Sequence, residues 1–379
     1  MNQMKVGFLS AHNYFDQNAW SGTVYQMYQA LKSKGFKMVN LGHPETPSLI
    51  QKIKNRLSPK KTFPIGSAKY ITANQKLASL FQRQLHNNPC DVIFAPVASR
   101  EVSLLDSQVP IIYMSDATPE LIKETYNLYP NEAAFQLANE QEQAAILKAT
   151  KIVYPSDWVA NSAINYYHAK PNDIQVIPFG ANIHPGLIPT VDQTLKKSNG
   201  KCCRLLFIGK DWQRKGGEIA FETLRLLNQM GIDTELVCLG CIPPAEFQHQ
   251  KMKVIAFLNK NIPEEEQQFS QLLLQSHFLL FPTRADCSPM VICEANAFGL
   301  PVITTDVGGI PTLIQQGQNG YTLPLTAIAQ DYAHVIAQNF SNPAQYQKLV
   351  QTSRQAYETR LNWDHWSEKM CDVIEGIAV

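Results

Sequence analysis

Two stretches of the chain gather side chains suited to a diphosphate and to a group rich in hydroxyls. The first reads Leu205-Leu-Phe-Ile-Gly-Lys-Asp-Trp-Gln-Arg-Lys-Gly-Gly217. An apolar run stops at Gly209, a short loop carries Lys210, Arg214 and Lys215, and two glycines open an amphipathic stretch. Cations beside a helix amino terminus suit a diphosphate, because ammonium charge and unpaired helix N–H groups act on the same oxygens. A solvated basic loop with turn glycines has the same composition, so this segment alone leaves both readings open. The second stretch runs from Phe281 to Thr305 and contains Asp286-Cys-Ser-Pro-Met-Val-Ile-Cys-Glu294. It predicts a loop carrying Asp286, a helix starting near residues 289–291, and Glu294 about one turn inside it. The backbone around Ser288, Pro289, Met290 and Val291 then presents the unpaired N–H groups of a helix start. One acid can accept hydrogen bonds from a sugar and the other from a ribose. Two acids eight apart are common in any chain. A proline at the helix start and Gly299-Leu-Pro301 before the next apolar run make the pattern much more specific.

Several familiar cofactor signatures do not occur. No G-x-G-x-x-G, Walker sequence, H-E-x-x-H or G-x-S-x-G is present, and no two aspartates stand two apart as in D-x-D. Eight cysteines are scattered, with one C-x-x-C at Cys238 and Cys241 and no second pair to complete a zinc site. Reduced, buried thiols in a cytoplasmic protein are the expectation.

Alternating strands and helices must position these loops. Apolar runs at residues 6–9, 92–95, 111–114, 152–154 and 176–178 form one series. A second occupies 205–208, 236–239, 254–258, 278–281 and 302–304. They lack polar alternation, as strands covered on both faces do. Between them, Val24, Met27, Tyr28 and Leu31 fall on one helical face that Gly35 stops, and Ala220, Leu224 and Leu227 repeat the pattern before Gly231. Two such series predict an α/β chain of two Rossmann-like domains, at 1–185 and 186–355. The boundary falls in the region 179–200, rich in proline, glycine, serine and asparagine. Residues 356–379 hold Trp363, Trp366, Met370, Val373 and Ile377 on one side and read as a closing helix that packs back on the first domain. The 379 residues suit two domains, and the formal net charge of +1 argues against a nucleic-acid partner. No apolar run is long enough to span a bilayer, and the start is too short for a signal-peptide core.

The segment 286–305 resembles the E-x7-E region of the retaining glycosyltransferases of family 4, two-domain enzymes of the GT-B fold with a donor cleft between the domains. Asp286 and Glu294 fall on the two acids, and Ala295, Gly299, Pro301 and Val302 match as well. Lys210 and Lys215 fall on the family's two diphosphate-binding cations, and Gly308-Gly309 and Gly317-x-Asn319-Gly320 on its later loops. Ser21-Gly22 resembles the Gly-rich loop that approaches the donor phosphates. Departures are Asp in place of the first Glu, Cys287-Ser288-Pro289 in place of Gly-Phe-Gly, and Ser115-Asp116 where many members carry a histidine near the sugar's 6-position. Asp116 either takes over a sugar contact or caps the helix that follows.

The resemblance implies transfer of a hexosyl group from a nucleotide-diphosphate sugar with retention, by front-face attack. A UDP-hexose is favoured, with GDP-mannose second. Lys210 and Lys215 would stabilise the departing diphosphate without a metal or other cofactor, Asp286 would orient the donor sugar, and Glu294 the ribose. The amino-terminal domain would choose the acceptor, a sugar, lipid or small molecule that the sequence does not identify. A sugar-nucleotide epimerase and a non-catalytic nucleotide-sugar binder are the alternatives. The stretch 52–69 carries Lys52, Lys54, Arg56, Lys60, Lys61 and Lys69 with no acid. It reads as solvated surface, with an anionic acceptor or peripheral contact with an anionic membrane as the alternative.

Overall fold

The computed structural model describes residues 3–17, 19–42, 68–196 and 200–377. The chain divides into two compact units: one holds residues up to Ile177 together with Ser367 onward, the other Pro178–Trp366. The basic stretch 52–67 lies outside the described residues, and Lys69 is exposed at the start of a helix.

The first unit opens with β1 (Lys5–Phe8), α1 (Thr23–Ser33), β2 (Lys37–Asn40), α2 (Ala68–Asn87) and β3 (Val92–Pro96). It continues through α3 (Ser99–Leu104), β4 (Ile111–Met114), α4 (Pro119–Ile122), α5 (Glu132–Lys148), β5 (Lys151–Tyr154), α6 (Asp157–Tyr167) and β6 (Ile174–Val176). The six strands are parallel in the order β2-β1-β3-β4-β5-β6. Every residue of β3 and β4 is buried, which explains their unbroken apolar run. The predicted face of α1 is the one it buries: Val24, Met27, Tyr28 and Leu31 are all inside.

The second unit contains α7 (Val191–Leu195), β7 (Cys203–Ile208), α8 (Gly217–Gln229), β8 (Thr234–Leu239), β9 (Met252–Ile255) and α9 (Pro263–Gln275). Next come β10 (Phe278–Phe281), α10 (Met290–Ala297), β11 (Val302–Thr305), α11 (Ile310–Leu313), β12 (Gly320–Leu323), α12 (Ala329–Phe340) and α13 (Pro343–Thr359). Its sheet is also parallel, in the order β12-β11-β10-β7-β8-β9. The period of two along β7 separates two cores. Leu205 and Phe207 join Ala220, Leu224 and Ile336 on one face, and Leu206 joins Phe281, Ile292 and Val302 on the other.

Helix α14 (Trp363–Glu375) begins in the second unit and ends in the first. It buries Trp366, Met370, Val373 and Ile374, and each such side chain contributes roughly 1.5–3 kcal/mol when fully removed from water. Its first turn packs on Phe179 and Gly180, where a Cβ would come within 2.4 Å of the Trp363 nitrogen. Among the described residues no helix is long and apolar enough to cross a membrane.

Two strands, β2 and β12, carry no apolar run that would announce them. Two others are displaced from expectation: β6 ends at Val176 and β9 at Ile255. All four are sheet edges. An edge strand packs fewer neighbours and tolerates polar or half-exposed residues, as Lys37–Asn40 does.

Candidate functional site

In the second sheet β7 pairs with β10; the connection leaving β7 runs to β8 on one side, and the connection leaving β10 runs to β11 on the other. That switch in strand order opens a crevice beyond the carboxyl ends of two neighbouring strands, where parallel α/β sheets bind ligands. The Lys210–Lys215 loop leaves β7 there, and the Asp286 loop leaves β10 beside it.

The first loop is a folded turn. Gly209 donates to the Leu239 carbonyl at 2.9 Å, Lys215 to Asp211 at 3.0 Å and Gly217 to Trp212 at 2.8 Å. Trp212 is buried against Phe207 and Phe247 and anchors the turn in the core. Gly216 precedes α8 at φ +75, and a Cβ there would lie 1.9 Å from the Pro282 carbonyl oxygen, so only glycine admits this approach of the two loops. Arg214 joins them: its Nη1 donates to the Ala285 carbonyl at 2.9 Å, and its own carbonyl accepts from Arg284 N–H at 2.7 Å. The guanidinium therefore ties one loop to the other. Lys215 pairs with Asp286 through Nζ and Oδ2 and lies 4.9 Å from the centre of the Phe281 ring. Their side chains are 14% and 11% exposed, so this pair is shielded and still reachable. Lys210 is exposed.

Asp286 is held by its backbone as well. Gly309 N–H donates to the Asp286 carbonyl at 3.3 Å, and Gly308, at φ +56, comes so close that a Cβ would lie 1.8 Å from that oxygen. Pro289 stands at the amino cap of α10, with Met290 as its first residue and Val291 half-buried. The Ser288 hydroxyl is buried and makes no hydrogen bond among the described residues. Glu294 is 2% exposed, and its Oε1 lies 2.6 Å from Lys260 Nζ, which also donates to the Asn182 carbonyl at 3.2 Å. Burial, and then the Glu294 charge, push the neighbouring Cys293 thiol up to about 12, which keeps it protonated and inert. Arg354 caps the other end of α10, donating to the Ala297 carbonyl at 2.6 Å.

The structure thus brings Lys215 to Asp286 and places Ser288–Val291 and Glu294 on the element that follows. Lys260 was not singled out from the sequence. It sits in Asn259-Lys-Asn261, a polar turn with no periodic signal, and only the tertiary fold shows that it faces a carboxylate. Gly22 and Asp116 belong to the first unit. Gly22 is the buried residue capping α1. Asp116 follows β4, and Thr118 occupies the amino cap of α4.

Residues 202–342 match the family described as Glycosyl transferases group 1. The lipopolysaccharide glucosyltransferase WaaG of Escherichia coli is 25% identical over 259 residues, covering 65% of this chain and 67% of WaaG. A D-inositol 3-phosphate glycosyltransferase of Jonesia denitrificans is 22% identical over 63% of this chain and 59% of its own length. Among solved structures, sucrose-phosphate synthase from Thermosynechococcus elongatus superposes with a TM-score of 0.70 at 17% identity, covering 99% of both chains. Anabaena HepE in complex with UDP and glucose superposes at 0.65 and 14% identity, over 99% of this chain and 100% of its own. Identities this low carry the fold, two Rossmann-like domains, and the sequence matches carry the family type. With the acid pair, the cation loop and the strand-order switch all within residues 202–342, the chain has the GT-B fold and resembles the GT4-type glycosyltransferases.

Proposed function

We propose that the protein transfers a hexosyl group from a nucleotide-diphosphate sugar, a UDP-hexose before GDP-mannose, to an acceptor with retention at the anomeric carbon. The observation that carries this reading is the convergence of Lys215 and Asp286 from loops 71 residues apart, beyond the ends of β7 and β10. A shielded lysine and carboxylate neutralise one another while the site waits. A bound donor separates their tasks: its diphosphate takes the Lys215 ammonium, and a sugar hydroxyl donates to Asp286. The Anabaena neighbour was solved with UDP-glucose, a ligand consistent with this division.

The bond between the anomeric carbon and the diphosphate oxygen breaks, and the acceptor oxygen bonds to the same face of that carbon. The acceptor's proton passes to the departing phosphate oxygen, so no enzymic nucleophile is required. Lys215, Lys210 and the amino terminus of α8 stabilise the charge that grows on the diphosphate. Preorganised donors of this kind contribute on the order of 10²–10³ in rate each. Glu294 accepts from the ribose, and Ser288–Val291 line the path between the two acids.

The test is hydrolysis of a panel of nucleotide sugars by the purified protein, followed by NMR of the anomeric proton in the transfer product. Turnover of one donor with an axial donor bond giving an axial product supports the reading. An inverted product overturns retention, and binding without turnover favours a nucleotide-sugar sensor.

A further inference from the structure

Glu294 poses a physical problem that Lys260 answers. A carboxylate 2% exposed loses most of its hydration, and an isolated charge in that position is costly. Lys260 reaches it from the solvent side, its own side chain 32% exposed, and lays Nζ 2.6 Å from Oε1. The same ammonium donates to the Asn182 carbonyl at 3.2 Å and lies 5.2 Å from the centre of the Phe269 ring. Its anchors are themselves held. Asn182 Oδ1 accepts from Trp363 Nε1 at 3.0 Å. The turn that carries Lys260 is tied to α9, with Asn259 N–H donating to Glu265 Oε2 at 2.6 Å and Ile262 N–H to the Asn259 carbonyl at 2.9 Å. A carboxylate offers about four acceptor sites. Lys260 uses one on Oε1, and Oε2 accepts no hydrogen bond among the described residues.

We infer that Lys260 is a positioning residue for the nucleoside half of the donor: it holds Glu294 turned so that Oε2 accepts the ribose hydroxyls. The inference rests on the reading of Glu294 given above. An ion pair that only supports the fold would affect stability and leave the recognition of ribose untouched, so the two roles differ in what they do to ligand discrimination.

The experiment is calorimetric titration of the purified protein with UDP, GDP and ADP, then with the 2′,3′-dideoxy form of whichever binds best. The parent should prefer the ribose form. Lys260→Met should weaken that ligand roughly 10- to 100-fold, the size of a lost hydrogen bond to a charged group, and change the dideoxy form by less than about two-fold. Lys260→Arg, which keeps the charge, should recover most of the preference. Equal loss for both ligands, or none for either, overturns the inference while the function stands. A parent that binds a diphosphate without distinguishing ribose overturns the role of Glu294. A parent that binds none overturns the functional reading. Should Lys260→Met fold poorly, the double variant with Glu294→Gln removes the stranded charge. It should bind like Glu294→Gln alone, and a further loss in the double variant overturns the inference.

Discussion

Glu142 of the first unit and Glu294 of the second are buried to the same degree and treated in opposite ways. Glu142, on α5 of the first unit, is 2% exposed and accepts a hydrogen bond from the Tyr113 hydroxyl at 2.7 Å. Among the described residues no cation pairs with it, and burial pushes its carboxyl up to about 7. Glu294, on α10 of the second unit, is equally buried but has the Lys260 ammonium at 2.6 Å. The first is tuned toward the neutral acid, a hydrogen-bonding group within a core. The second is supplied with a counter-charge, which is worth the desolvation only where a charge has a use. On the proposed function, the difference separates a structural carboxyl from one that receives a ligand. Glu142 lies on α5 against Tyr113 of β4, and Glu294 on the helix that follows β10.

The largest effect tests the charged half of that comparison. Lys215→Ala should lower the rate of donor hydrolysis or transfer by about 10²–10³-fold, since it removes a fixed charge aimed at the leaving diphosphate. Lys215→Arg should recover little, because a planar fork does not reproduce a compact ammonium. Wild-type rates in Lys215→Ala would mean that the pair with Asp286 is structural.

The two acids come next. Asp286→Ala should reduce kcat, and Glu294→Ala should act chiefly on the donor KM, each by roughly 10- to 100-fold, the loss expected for hydrogen bonds to a charged group. Circular dichroism should show both folded. Retained kinetics in both variants would remove the acid pair from the site.

Glu142→Gln probes the neutral half. The folded carboxyl holds its proton up to about pH 7 against an ordinary 4.5, so this contribution is fully present below about pH 4.5 and lost as the pH rises through 7. The amide keeps an oxygen for Tyr113 and has no charge to bury. The variant should match the parent in thermal stability near pH 4.5 and exceed it at pH 8 by about 1–3 kcal/mol, with turnover unchanged. An identical pH dependence in parent and variant would show that Glu142 does not titrate there. The smallest effect is expected from chelation. With Lys210 and Lys215 neutralising the diphosphate, EDTA should change the rate by less than about two-fold, and a loss restored by magnesium would assign that work to a metal.

What could be read locally follows from burial. The eight interior strands announce themselves as apolar runs because both faces are covered, whereas the four edges, β2, β6, β9 and β12, were missed or displaced. Phe257 shows the cost of the same rule, an apolar residue taken into a strand that is 59% exposed in the loop beyond β9. Lys215, Asp286 and Glu294 were legible because each stands at a fixed offset from a strand end, a glycine or a proline.

Offsets and periodicity are properties of neighbouring residues, so the sequence by itself determined two α/β series, a cation loop after β7 and an acid pair after β10. Which loops meet depends on strand order, and pairing β7 with β10 brings Lys215 to Asp286 across 71 residues. The same is true of Lys260 and Glu294, 34 residues apart. Nothing in the composition of Asn259-Lys-Asn261 separates a solvated turn from one folded over a buried carboxylate. Only the packing of that turn on α9 and α10 decides it, because the energy of a buried charge depends on what surrounds it in space.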